Sequence, residues 1–508
     1  MKKMKLKLVC GLLLIAGLML PQAAAGQKVT TAGAGKAASY KAKTTALEYL
    51  SGDDIIRKYG VISDSIWSFA ELGMQEFRSA ELLAQTLEAE GFIVERGVAG
   101  IPTCFVATWG SGKPVIGILG EYDALPMLSQ KAGVPVQDPI VEGAPGHGCG
   151  HNMMGAAGVA AAIAVKRSME ANKIKGTIKF YGSPAEETVI SRPYMVRAGV
   201  FNDVDAVIDN HASSGFSTSY GVGGNAVISV LFTFRGKTAH SAGSPWSARS
   251  ALDAVEIMNV STNYLREHLH YTQRMHYVIT EGGEAPNVVP DRATVWYYVR
   301  NTDARLEDMY NRVVDCAKGA ALATGTELAE IRVLTGVHQR HANKGMAELL
   351  QGNIDLIGMP QWTEEENAFA RALQKEVGAR ETGYPTTVGK LREPSGVEVG
   401  GGSSDVGDVT LIAPTATLNF PGGVPGAIGH HWSAVASYYG PAAWKGLNAG
   451  AKVMAAAAVD LLTKPEVLSA IRAEFVEYSK THPYKSFLPE NASPPLDLNR
   501  ELMEKYRK

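Results

Sequence analysis

The sequence predicts an α/β protein with a second, smaller unit inserted into the larger one. Over most of the chain, short apolar runs that resemble buried strands alternate with helical stretches, a pattern typical of an α/β layer architecture. Between about residues 222 and 335 the order changes to strand, helix, strand, strand, helix, strand, which is the ferredoxin-like unit. Because α/β patterning resumes afterwards, we expect this unit to be an insertion.

The N-terminus has the pattern of an export signal. Four lysines precede the apolar run Leu8–Leu20, and Ala23–Ala25 then provides a small-residue cleavage site. The run has 13 residues, whereas about 20 are needed to span a bilayer. We therefore expect a signal peptide over residues 1–25, a flexible tether over 26–45, and a periplasmic or secreted protein without a membrane anchor.

The larger unit is predicted over residues 46–221 and 341–480, with a C-terminal tail at 481–508. Its central helix is predicted at Met153–Ser168, where many small residues favour close packing on a sheet. Its buried strands are predicted at Pro114–Gly120, Gly176–Tyr181, Ala206–Asp209 and Thr415–Phe420.

The inserted unit is predicted over residues 222–340. Its strands are predicted at Ala226–Phe234, His276–Thr280, Ala293–Arg300 and Leu328–Leu334. Its helices are predicted at Ala248–Glu267 and Leu306–Thr324. Each helix separates strands in the order that a ferredoxin-like unit requires.

Composition and charge exclude several classes of protein. Hydrophobic residues at 45% and charged residues at 20% are globular values, so disorder and fibre are excluded. The 49 Lys and Arg against 51 Asp and Glu give a net charge of −2 without a long basic run, which argues against a nucleic-acid partner. After export, Cys104, Cys149 and Cys316 would remain, an odd number that predicts no disulfide framework.

Polar side chains follow the apolar runs at the strand ends where an open α/β sheet binds its ligands. They comprise Glu121, Asp123, Glu186, Glu187, His211, His430 and His431, together with Cys149 and His151 in a glycine-rich loop before the central helix. Thiolate, imidazole and carboxylate are the ligands of borderline transition metals, and so many of them predict a hydrolytic two-metal site. Taken alone, each of these residues more often has an ordinary structural role than a catalytic or metal-binding one. The prediction therefore depends on their joint placement at the strand ends.

Seven motifs resemble those of the M20 metallopeptidase/amidohydrolase family, in the branch of p-aminobenzoyl-glutamate hydrolase B-like proteins. In chain order they are GEYDALP (120–126), GHGCGHN (146–152), SPAEE (183–187), NHAS (210–213), GKTAHSAGSPW (236–246), APNVVPDRA (285–293) and GHHW (429–432). The resemblance implies a metal-dependent exopeptidase-like catalytic domain with an inserted dimerisation or lid domain. Where related amidohydrolases carry Gly-His-Asp-x-His, this chain has Asn152 and Met154, so functions of those two positions are not carried over.

The resemblance also assigns roles within the predicted site. It implies that two divalent transition metals, Mn²⁺ or Zn²⁺, are bound by Cys149, His151, Glu187, His211 and His430. Of the adjacent histidines, we choose His430 because it lies two residues before Trp432, as in the family's pattern. Glu186 matches the general base that activates water, and Asp123 matches a carboxylate that orients a ligand.

Three residues of the inserted unit are further candidates. By resemblance, His240 reaches across a homodimer to the developing oxyanion, and Asn287 contacts the substrate. Arg300 is our own inference as a clamp for a substrate carboxylate, and a surface ion pair is an equally good interpretation of it.

Three functions agree with these residues. The leading one is an exported amidohydrolase that cleaves N-acyl amino acids, for example aminobenzoyl amino acids. The second is a dipeptidase or aminopeptidase of the same family, and the third is a non-catalytic relative that binds metal or peptide. Glu186 argues against the third, because a pure binder needs no water-activating base.

Overall fold

The structure, a computed structural model, describes residues 39–394 and 401–507, so the predicted signal peptide lies outside the described residues. Its strands are β1 (Ile93–Arg96), β2 (Phe105–Ser111), β3 (Val115–Gly120), β4 (Gly176–Gly182), β5 (Ala206–Ala212), β6 (Ser217–Thr218), β7 (Gly221–Gly223), β8 (Ala226–Arg235), β9 (Arg274–Glu281), β10 (Arg292–Asn301), β11 (Glu327–Val337), β12 (Arg340–Ala342) and β13 (Thr415–Phe420). Its helices are α1 (39–49), α2 (Asp53–Phe69), α3 (Phe77–Ala89), α4 (His151–Asn172), α5 (Ser191–Arg197), α6 (Ala251–Leu265), α7 (Asp303–Thr324), α8 (Lys344–Ile357), α9 (Glu364–Glu376), α10 (Val406–Thr410), α11 (Trp432–Ser437), α12 (Pro441–Thr463), α13 (Pro465–Ser479) and α14 (Arg500–Glu504).

A seven-stranded mixed sheet forms the centre of the larger domain, in the order β1-β2-β4-β3-β5-β13-β6. The four predicted strands, β3, β4, β5 and β13, run parallel. The sequence did not predict β1, β2 and β6, which pair antiparallel with their neighbours, β1 and β6 at the two edges of the sheet. Because the C-terminal ends of parallel strands lie at one edge, the loops after β3, β4 and β5 converge there.

Helix α4 packs closely on this sheet because its core-facing residues are small. Every position from His151 to Val165 is buried. A Cβ atom at Gly155 would lie 2.8 Å from the carbonyl oxygen of Glu121, so glycine permits the helix to approach the end of β3. The start of α4 is therefore held against the same sheet edge.

The inserted domain has the predicted order, β8-α6-β9-β10-α7-β11, and its sheet has the order β11-β8-β10-β9. Helices α6 and α7 cover one face, and alternate residues of β10 (Val295, Tyr297 and Val299) are buried against them. The two segments that connect the domains pair as the two-stranded sheet β12-β7. The fold class predicted from the sequence is confirmed.

Three expectations about local structure were wrong. The predicted tether does not extend to residue 45, because Ala42 and Ala46 of α1 are buried and the Lys43 ammonium lies 2.6 Å from Asp460. The strand predicted at Ala206–Asp209 extends through Ala212 as β5, so His211 lies within this strand rather than after it. Helix α4 begins at His151 rather than Met153, so His151 belongs to its first turn.

The C-terminal segment packs onto the larger domain. Met503 of α14 is buried, and the Arg507 guanidinium donates to the Gln75 carbonyl oxygen at 2.8 Å. The Tyr484 hydroxyl donates to Asp408 at 2.8 Å. Across the described ranges, the chain has no helix with the length and apolar character needed to cross a membrane.

Candidate active site

Asp123 positions two residues of the predicted site at once. Its Oδ1 lies 2.8 Å from Nδ1 of His151, and its Oδ2 accepts a hydrogen bond from the Glu187 backbone N–H at 2.9 Å. Asp123 and His151 are both buried. With Nδ1 engaged, the imidazole of His151 directs Nε2 into the site, as expected for an oriented metal ligand.

Cys149 and His211 lie next to this pair. The Cys149 sulfur is 3.4 Å from Nε2 of His211, whose Nδ1 donates to the Ala212 carbonyl oxygen at 2.7 Å. That backbone bond selects the tautomer in which Nε2 is free of its proton. His151 and His211 therefore both direct Nε2 into the candidate site.

The structure distinguishes the two adjacent histidines after the last strand. Nε2 of His430 lies 3.3 Å from Oε2 of Glu187, so this side chain reaches the site. The side chain of His431 instead caps helix α11, accepting from the Ser433 backbone N–H. His430 is thus the histidine that faces the predicted ligands.

The site's donors fit a divalent cation. Three overlapping groups bring one donor atom per residue within 4.8 Å of one another: Cys149, His151 and His211; Cys149, Glu187 and His430; and Glu121, His151 and Glu186. Among the described residues, Nε2 of His151, Oε1 of Glu187 and Oε2 of Glu121 are buried without a hydrogen-bond partner. Such atoms are rare in folded proteins, and cations held by these donor groups would give them partners.

Burial shifts the titration of these groups. It raises the pKa of Glu187 to about 8 and that of the Cys149 thiol to about 12. It lowers the pKa of His211 to about 4. Burial also opposes protonation of His151, but the Asp123 and Glu187 carboxylates outweigh it and hold the pKa of His151 well above its usual value. The negative field that favours a proton on His151 equally favours a bound cation.

Glu186 lies at the rim of the cluster. Its Oε2 is 3.7 Å from Nε2 of His151, and its side chain is 12% exposed, more than the 6% of Glu187. The Glu186 side chain is therefore the more accessible of the two adjacent glutamates, although it also belongs to one candidate donor group.

A buried ion-pair network, which the sequence did not predict, lies beneath the cluster. Arg192 of α5 is fully buried, and its Nη1 lies 2.7 Å from Oε1 of Glu121. The same guanidinium bonds to Asp405, whose Oδ2 accepts from the Arg192 backbone N–H at 3.0 Å. This network fixes Glu121 so that Oε2 faces His151 at 3.3 Å. The signal for it in the sequence is Arg192 within the mostly apolar stretch 189–196.

His240 and Asn287 lie together, but apart from the cluster. Nδ1 of His240 accepts from the Ala242 and Gly243 backbone N–H groups at 3.2 and 3.1 Å, and the Ser241 N–H donates to the Asn287 carbonyl at 3.1 Å. Both side chains are exposed. Within 39–394 and 401–507, no hydrogen bond or ion pair joins either to the cluster.

Arg300 of β10, by contrast, is close enough to the cluster of the same chain for the charge of Glu186 to act on it. Its guanidinium lies 5.0 Å from the Tyr298 ring, and its Nε is buried without a partner. Burial lowers the pKa of Arg300, while the charge of Glu186 opposes that shift. No ion pair of Arg300 occurs in the part of the chain that the structure describes, so the surface ion-pair interpretation receives no support.

Comparison with known proteins agrees with this geometry. The sequence model of the family described as "Peptidase family M20/M25/M40" matches residues 117–458. The chain is 38% identical to the B component of p-aminobenzoyl-glutamate hydrolase from Escherichia coli (strain K12), covering 86% of this chain and 96% of that protein. It is 28% identical to Xaa-Arg dipeptidase of Mus musculus, covering 83% and 90%. A dinuclear metal binding peptidase of the M20 family from Bacillus subtilis shares the fold, with a TM-score of 0.52 at 18% identity over 81% and 100% of the chains.

Proposed function

This chain belongs to peptidase family M20/M25/M40, whose members are metal-dependent hydrolases of amide bonds, and we propose that it is an exported amidohydrolase of N-acyl amino acids. Aminobenzoyl amino acids are the proposed substrates, since the similar Escherichia coli protein is named for one of them. The observation that carries the proposal is the convergence of unpartnered, buried donor atoms with Glu186 at their rim.

The proposed cofactor is a pair of Mn²⁺ or Zn²⁺ ions. Cys149 belongs to two of the three donor groups, one with His151 and His211 and one with Glu187 and His430, so a shared thiolate accounts for two neighbouring ions. The fold neighbour named as a dinuclear metal binding peptidase supports the same number. A thiol engaged in this way is also protected from disulfide pairing in an oxidising compartment.

Glu186 is the proposed general base and acid. Bound metal would lower the pKa of water in the site, as it does in other hydrolytic metal centres. Glu186 would take the proton from that water and later deliver it to the departing nitrogen of the amide. Its partial exposure leaves room for water and substrate on one side, while His151 lies 3.7 Å away on the other.

The exposed turn of the inserted domain supplies the rest of the proposed site from a second copy of the chain. With Nδ1 engaged by two backbone N–H groups, His240 presents Nε2 as a donor for the developing oxyanion of the partner's reaction. Asn287 on the same turn would contact that substrate, and Arg300 would hold a substrate carboxylate within its own chain. The proposed assembly is therefore a homodimer.

A dipeptidase is the second candidate, because the chain covers 90% of the mouse Xaa-Arg dipeptidase at 28% identity. The two candidates require different chemistry at one end of the substrate. A dipeptidase must accept a charged α-amino group, whereas an N-acyl amino acid has none.

The test is an assay of the purified full chain loaded with Mn²⁺ or Zn²⁺ against aminobenzoyl-glutamate, hippurate and a panel of dipeptides. We expect cleavage of the N-acyl substrates, about two metals per chain by elemental analysis, and loss of activity in chelator. Activity on dipeptides alone would favour the second candidate. Unchanged activity in chelator, with no bound transition metal, would overturn the metal-dependent mechanism.

A further inference from the structure

The face of the inserted sheet that the helices leave uncovered carries an aromatic row. Along β10, Trp296, Tyr298 and Arg300 alternate with the residues buried against α6 and α7. On the neighbouring antiparallel strand β9, Val278 pairs with Trp296, and His276 pairs with Tyr298. A cavity of about 260 Å³ is lined by His276, Tyr277, Val278, Trp296 and Tyr298. Since sites for whole drug-sized ligands have roughly 300–1,000 Å³, this cavity suits one part of a substrate.

The row begins beside the candidate metal cluster. Tyr298 packs against a small apolar cluster formed by Val189, Val227 and Val337. Val189 lies two residues after Glu187, and its carbonyl oxygen accepts a hydrogen bond from the Thr335 hydroxyl at 2.7 Å. Burial raises the pKa of Tyr298, and the charges of Glu187 and Glu186 add to that effect. A group attached to an amide at the cluster can therefore extend over Tyr298 towards Trp296.

The two aromatic rings of the row are held in place. Their centroids are 5.7 Å apart with an interplanar angle of 78°, the edge-to-face arrangement that aromatic pairs prefer. The Trp296 indole donates to the Ser229 hydroxyl at 2.8 Å, which fixes its orientation on the sheet. The cavity wall is therefore organised before any ligand arrives.

The charges near the cavity keep the His276 imidazole neutral. The Arg300 guanidinium stacks 5.0 Å from the Tyr298 ring. Burial lowers the pKa of His276, and the charges of Arg300, Arg266 and Arg274 lower it further. His276 is consequently neutral near pH 7 and can accept a hydrogen bond.

We propose that this face is an aryl subsite, in which the acyl half of the substrate places a planar, uncharged aromatic ring against Trp296 and Tyr298. The inference rests on the proposed function, because it assigns one half of an N-acyl amino acid within the same site. A donor substituent on the far side of the ring, such as an aromatic amine, would bond to His276. Short aliphatic acyl groups would leave the cavity unfilled.

The first test measures binding without turnover, using the uncharged probe 4-aminobenzamide and the full chain by isothermal titration calorimetry. Trp296→Ala removes the main stacking surface, and Val278→Lys places a cation opposite it at a position that is 57% exposed and so tolerates the change. Both should weaken binding roughly tenfold. Leu322→Ala, an 85% exposed residue of α7 on the helical side, is the matched control and should bind as the native chain does. Native affinity in both cavity variants would overturn the proposal.

The second test compares kcat/KM for 4-aminobenzoyl-glutamate and acetylglutamate. Both cavity variants should lose roughly tenfold on the aroyl substrate and little on the acetyl one. Equal losses on both substrates would overturn the aryl subsite while leaving the amidohydrolase function intact. If the native enzyme cleaved neither substrate, the proposed function would fail, and loss of 4-aminobenzamide binding in the variants would still support the subsite.

Discussion

The metal-facing cluster and the His240 turn differ in how completely one chain builds them. At the sheet edge, donors from separate elements converge within 4.8 Å and are oriented by buried hydrogen bonds such as that between Asp123 and His151. On the inserted domain, His240 and Asn287 are exposed, and the hydrogen bonds of their turn are internal to it. The donors of the cluster fit a cation within one chain, whereas the turn takes part in the reaction only through the proposed second copy.

This difference divides the proposed reaction into two parts. Water activation requires donors held at fixed distances, and a rigid sheet edge supplies them without reorganisation. Stabilisation of the oxyanion is left to a surface that acts when a second copy approaches. Substitutions at the cluster and at the turn should therefore have separable effects on metal binding, turnover and stability.

The largest expected effect is on the base at the cluster. Glu186→Gln keeps the side-chain shape but cannot accept a proton, so turnover should fall by roughly 10²–10⁴-fold while the metal content stays native. Glu187→Gln, the adjacent matched change, should lower the metal content instead. Single-turnover assays combined with elemental analysis would measure both effects. Exchanged phenotypes would show that the two roles are reversed.

The next largest effect is on the turn. His240→Ala should reduce turnover by roughly 10²–10³-fold, because the oxyanion loses a donor, while metal content and stability remain native. His268→Ala, an exposed histidine of the same domain, is the control and should keep native activity. If His240→Ala mainly lowered the melting temperature and spared turnover, the residue would be structural and the comparison would fail.

A smaller effect, on metal affinity, is expected for Asp123, the carboxylate that orients the proposed ligands. In Asp123→Asn the side chain keeps only one acceptor oxygen, so it can no longer accept hydrogen bonds from both His151 and the Glu187 backbone N–H. The metal affinity should therefore fall by roughly 10–100-fold. Competition with a chelating dye measures it. Asp138→Asn, whose side chain is 41% exposed, serves as the control. Unchanged affinity in Asp123→Asn would show that this carboxylate does not orient the ligands.

The smallest effect distinguishes the two adjacent histidines. His431→Ala removes the cap of α11 and should cost about 1 kcal/mol of stability without changing metal affinity. His430→Ala should lower metal affinity, because Nε2 of His430 faces Glu187 at 3.3 Å. Denaturant unfolding and metal titration of both variants separate these roles. Loss of metal affinity in His431→Ala would reverse the assignment.

The sequence predicted the parallel strands, the inserted domain and the side chains that meet at the sheet edge, because apolar runs and the polar residues after them are local patterns. It did not predict the Arg192 network, since the pairing of Arg192 with Glu121 and Asp405 joins segments that are far apart in the chain. Helix α1 was missed for the same reason, because tertiary contacts such as that of Lys43 with Asp460 stabilise it. Local patterns also gave no indication of the aromatic row.

The central claim, that one active site draws Glu186 and His240 from different chains, is tested most directly by mixing two inactive variants. After equal amounts of His240→Ala and Glu186→Gln chains have exchanged between dimers, half of the dimers are mixed, and each mixed dimer contains one site with both native residues. We predict recovery of about a quarter of the native activity, with native mass spectrometry confirming the mixed dimers. Mixed dimers that form but remain inactive would contradict the claim.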